Sequence, residues 1–150
     1  MALDDDIQLL RNLELFSVFP DDALRLIIFA AERLTLTEQT TLFTKGDQSN
    51  CGYLVESGMI GLYHDLEEPP IELAQPGTLI GEMALIAEST RPVHAIAEKD
   101  AIVIILKRSM MHRLLKEYPD AARIIYERVN QRTSELFEAL KRFENRNLLL

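Results

Sequence analysis

From Pro20 onward, the apolar residues Leu24, Ile27, Ile28, Ala31 and Leu34 recur at three- and four-residue steps, the signature of one buried helical face. Pro20 suits the first helical turn. Upstream, Asp4 to Asp6 precede IQLLRNLELF, and acids at that point favour a helix start. The pattern predicts N-terminal helices over about residues 4–34. Beyond Leu34 the pattern changes. RLTL, TTLFT, GYLVES, MIGLYH, IELA, VHAIA and AIVIILK are short runs rich in β-branched or aromatic residues, broken up by KGD at 45–47, SG at 57–58 and QPG at 75–77. Such strands predict an antiparallel jelly-roll barrel over about 35–107. Gly46, Gly58 and Gly77 read as turn residues.

Helical spacing returns after Lys107. RSMMHRLLKEY ends before Pro119, and PDAARIIYERVNQRTSELFEALKRFENRN follows, giving C-terminal helices over about 108–147. The long helix carries Ala122, Tyr126, Val129, Thr133, Leu136, Leu140 and Phe143 at alternating steps of four and three, a heptad seam. That seam predicts a homodimer; packing of the helix on its own domain is the competing outcome, with Ile125 and Phe137 beside the seam. The class is α+β: a jelly-roll barrel flanked by N-terminal helices and a long C-terminal helix, all in one domain of 150 residues.

Composition narrows the function. No apolar stretch approaches the ~20 residues of a membrane span, and MALDDDIQ lacks the basic start of a secretory signal, so a cytoplasmic protein is expected. The single cysteine, Cys51, excludes an internal disulfide and reads as a packing residue. A net charge of −8 argues against direct nucleic-acid binding. His64 and His112 have no partner at metal-ligand spacing. No nucleophile motif or Walker loop is present, so a binding protein without a cofactor is expected, not an enzyme.

The chemistry concentrates in IGEMALIAESTR, residues 80–91. Glu82 and Arg91 lie too far apart to meet along a helix, where neighbours are three or four apart. If they approach, the chain turns between them. A short helix after Gly81 would present free N–H groups to an anion, Gly81 would let the backbone come close, and Arg91 would add a bidentate fork. A phosphate carrying a ribose would use all of these, with Glu82 on the sugar hydroxyls. An internal Glu82–Arg91 ion pair bracing a site that binds nothing, or another anionic ligand, are the alternatives.

GEMAL followed by Arg91 resembles the phosphate-binding cassette of cyclic-nucleotide-binding domains. LFSVFPDDAL, FTKGDQSNCGYLVESGMIGLY, LAQPGTLIGE and DAIVIILKRSMMHRLLKEYPDAARII are similar to other motifs of that family, in the same order. The resemblance implies that Glu82 binds a ribose 2′-hydroxyl, that Arg91 pairs with a cyclic phosphate, that the N–H groups of Met83 and Ala84 support it, and that Gly81 makes room. cAMP is the expected ligand and cGMP a possible one. Three residues depart from the family's pattern. Pro92 replaces an Ala, Ser or Thr and has no N–H or hydroxyl; Val93 replaces an alanine; His94 replaces a Ser or Thr. One lost hydrogen bond to a charged group weakens binding by ~1.5–3 kcal/mol. Related transcription regulators continue from the long helix into a DNA-reading domain, whereas this sequence ends at FENRNLLL. Output through a dimer or an unknown protein partner is therefore expected. Leu136 and Phe137 fall where those regulators contact the base, which implies an apolar lid.

Overall fold

The computed structural model of the protein describes residues 2–131. The chain divides into two compact units at Leu114/Leu115.

The first unit is the expected jelly roll. One antiparallel sheet runs β1 (Glu32–Leu36), β10 (Ala101–Lys107), β4 (Cys51–Ser57), β7 (Leu79–Ile80). The facing sheet runs β2 (Thr41–Phe43), β9 (His94–Ala97), β5 (Ile60–Tyr63), β6 (Glu72–Ala74), and a ribbon pairs β3 (Gln48–Ser49) with β8 (Ser89–Thr90). Alternate residues of both sheets meet in one core that includes Leu36, Phe43, Val55, Ile60, Ala95, Ala97 and Val103. The seven strands expected from the short β-branched and aromatic runs are present. β3, β7 and β8 carry two residues each, too few to show any period, and pairing alone defines them.

The N-terminal helices are shorter than the hydrophobic pattern predicts. α1 spans Ala2–Arg11 and does not continue through LELF. The chain reverses instead, with Leu13 N–H donated to Leu10 O (3.0 Å) and Phe16 N–H to Leu13 O (3.1 Å). Reversal lets Leu15, Phe16 and Phe19 all be buried, and Arg11 holds the bend by donating to Phe19 O (3.1 Å) and pairing with Asp21. Asp4 and Asp5 sit in the first turn of α1 and do not precede it.

α2 spans Asp21–Ala30, with Pro20 just outside its start, and buries Ala23, Leu24, Ile27 and Ile28. It stops because Ala31 is extended (φ −72, ψ 142). Leu34 therefore leaves the helical face expected for it. It lies on β1 opposite Val103 and is 37% exposed, because strand pairing with β10 outweighs the helical spacing.

α3 spans Arg108–Glu117, as the sequence predicts. In the second unit, residues 119–131 are helical after Tyr118, and Ala122 N–H is donated to Tyr118 O (3.0 Å). Of the seam, Ala122 is buried and Tyr126 is 50% exposed. Thr133, Leu136, Phe137, Leu140 and Phe143 lie outside the described residues. Among the described residues no helix is long and apolar enough to cross a membrane.

Candidate functional site

Three backbone segments converge where the cassette was expected. β7 runs beside β4, with Tyr53 opposite Ile80, which lays Gly81 against the start of β4. A Cβ on Gly52 would stand 3.3 Å from both Gly81 O and Ile80 O. Residues Glu82–Leu85 then form the short helix expected after Gly81, a single turn of 3-10 type. β8 pairs with β3 and returns the chain so that Arg91 closes the loop. The turn required between Glu82 and Arg91 is thus this 3-10 helix followed by β8.

Arg91 is fixed at both ends. Its N–H is donated to Asp47 O (2.8 Å), and its carbonyl accepts from Gly46 N–H (2.8 Å). The KGD turn, itself held by Thr44 N–H on Asp47 Oδ2 (3.0 Å), therefore sets where the arginine leaves the backbone. Its guanidinium lies 4.4 Å from the Phe43 ring centroid and 5.3 Å from that of Tyr53. Nη2 donates to Cys51 O (2.8 Å) and reaches Cys51 Sγ (3.6 Å). Burial pushes the neighbouring Tyr53 phenol up to about 12, with hydrogen bonding to Cys51 in the same direction and Arg91 opposing. The phenol thus stays neutral beside the cation.

Arg91 is only 4% exposed, yet among the described residues no carboxylate lies within ion-pair distance of it. The internal Glu82–Arg91 brace is not formed. Cation–π contacts of about 0.5–2 kcal/mol each and one carbonyl only partly offset the desolvation of a buried charge.

Gly81 is left-handed (φ 78, ψ 39), a conformation that favours glycine. Arg91 Nη1 occupies the place a Cβ would take there, so only glycine lets the arginine lie over the cassette entrance. Ala84 N–H is donated to Gly81 O (3.1 Å) within the turn, whereas Met83 N–H has no backbone acceptor among the described residues. A one-turn helix has little dipole, so N–H groups at its entrance supply most of the attraction for an anion.

The departing residues separate by environment. Pro92 is exposed, Val93 is buried in the barrel core, and His94 Nδ1 accepts the Lys45 N–H (3.2 Å). His94 is thus engaged in holding the β2–β3 turn. No cluster able to hold a metal occurs among the described residues. Phe43, Tyr53, Asp47 and the Cys51 carbonyl belong to the site but to none of its sequence motifs' functional positions. The aromatics carry a signal, since both lie in alternating strands beside the barrel interior. A backbone carbonyl carries none.

Residues 33–118 match the family model "Cyclic nucleotide-binding domain". The chain belongs to that family. A cyclic nucleotide-binding-like protein from Brucella abortus is 41% identical, with TM-score 0.70, covering 75% of this chain and 99% of that one. A cAMP-dependent protein kinase regulatory subunit of Candida albicans is 26% identical over 118 residues, 79% of this chain and 25% of that protein. Lysophospholipase nte1 of Neosartorya fischeri is 32% identical over 117 residues, 75% of this chain and 8% of that protein. This cyclic nucleotide-binding domain therefore spans a quarter or less of those two relatives' length.

Proposed function

We propose that this domain is a non-enzymatic sensor that binds cAMP in preference to cGMP and passes the signal through a dimer or a protein partner. The observation that carries the reading is Arg91, a buried cation without a carboxylate among the described residues, lying over a left-handed glycine at the cassette entrance. A cyclic phosphate would complete it, held by Arg91 and the N–H of Met83, with Glu82 on the ribose. Pro92 offers no hydroxyl of the kind that favours guanine, so cGMP gains nothing from it. The lone cysteine is compatible with a cytoplasmic setting, and the net charge of −8 disfavours direct nucleic-acid contact.

A second reading, a domain that keeps the fold for protein contacts alone, is favoured by three observations. Pro92 has no N–H, Val93 fills the core, and Ala84 N–H is already engaged. Titration of the full chain with cAMP, cGMP and 5′-AMP separates the two. The sensor binds cAMP saturably and at least as well as cGMP, with 5′-AMP weakest. Equal, millimolar-or-weaker binding of all three supports the contact module.

A further inference from the structure

Helix ends leave carbonyls without internal partners, and a following glycine commonly lets the backbone satisfy them. The cassette helix is followed by IAEST, with no glycine. Its exit carbonyls are taken by side chains of α3 instead. Arg108 Nη1 donates to Ala84 O (3.2 Å) and Ala87 O (3.1 Å), and His112 Nε2 donates to Ile86 O (3.3 Å). The same Arg108 nitrogen reaches Ser49 O (3.1 Å), and the Arg108 N–H is donated to Asn50 O (2.8 Å). The next residue, Cys51, holds Arg91 through its carbonyl. Both halves of the anion site, the cassette turn and the arginine, are thus referenced to segment 49–51 and to one guanidinium.

We propose that Arg108, assisted by His112, is a clamp that makes the cassette, segment 49–51 and the first turn of α3 one mechanical unit. This rests on reading the site as a phosphate site. Arg108 is a positioning residue and touches no ligand. Because coupling is reciprocal, a ligand that orders the cassette also orders the start of α3, and loosening α3 weakens the ligand. All three side-chain contacts are made by Nη1, so a lysine keeps the charge but carries its ammonium one bond closer to the backbone and does not reach the three carbonyls together.

The test is hydrogen exchange with calorimetry on the full chain, comparing wild type, Arg108→Ala and Arg108→Lys with and without saturating cAMP. Without ligand, Arg108→Ala exchanges residues 84–87 about tenfold faster while β5 stays at the wild-type rate, showing an intact barrel. With cAMP, the wild type is protected at both 82–87 and 108–114. Arg108→Ala binds about tenfold more weakly and keeps protection only at 82–87, and Arg108→Lys falls between. Wild-type affinity together with undiminished protection of 108–114 in Arg108→Ala overturns the clamp. If the wild type binds no cAMP, the sensor reading fails, and the ligand-free arm still decides: unchanged exchange at 84–87 overturns the clamp.

Discussion

At Gly81, one missing Cβ serves two purposes. It permits the left-handed backbone, and it leaves the space that Arg91 Nη1 occupies. Alanine in that conformation costs about 1 kcal/mol from backbone strain alone, which lowers Tm by about 2–4 °C for a chain of this size. The arginine must also move, so Gly81→Ala is expected to lose cAMP affinity by more than tenfold, beyond what its stability loss explains. Calorimetry beside a thermal melt checks this; unaltered binding would show that Arg91 does not need its observed place. Gly81, Glu82 and Arg91 were legible in the sequence because residue type and spacing carry the chemistry of an anion site. The Phe43 and Tyr53 shelf was not, because those rings lie on different sheets and meet beside Arg91 only once the two sheets pack.

At the scale of elements, α1 is tied to the sheet by charge as well as by packing. Asp6, 2% exposed, pairs with Arg33 of β1, whose Nε also donates to Glu56 of β4 (3.1 Å). Burial, with Asp6 nearby, raises the Glu56 carboxyl above its ordinary value, and Arg33 only partly reverses this. The sign follows. A raised folded-state value gives a contribution that is present below the ordinary carboxylate value and is lost as pH rises through the raised one. The stability of wild type relative to Glu56→Gln is therefore expected to fall as pH rises above the ordinary carboxylate value of about 4. Chemical denaturation across that window measures the difference, and a pH-independent difference would refute the assignment. The α1 boundary could not be seen in advance for a related reason. The reversal after Arg11 depends on Phe19 O and Asp21 as acceptors, which a local hydrophobic period does not encode.

For the whole molecule, the jelly roll was legible because its longer strands are short β-branched or aromatic runs separated by turn residues. The coupling between cassette and α3 was not, since it runs through backbone carbonyls. The heptad seam from Ala122 to Phe143 predicts a homodimer. Light scattering at tens of micromolar is expected to show a dimer for the wild type and a folded monomer for Leu136→Asp plus Leu140→Asp; a monomeric wild type would dismiss the seam. The account's central claim is that Arg91 is kept buried to receive a cyclic phosphate. Calorimetric titration of wild type and Arg91→Ala with cAMP tests it most directly. The account predicts saturable binding by the wild type, weakened in the variant by ~2–5 kcal/mol through loss of the charge-assisted contacts, with the far-ultraviolet spectrum unchanged. Equal affinity in the two proteins would contradict it.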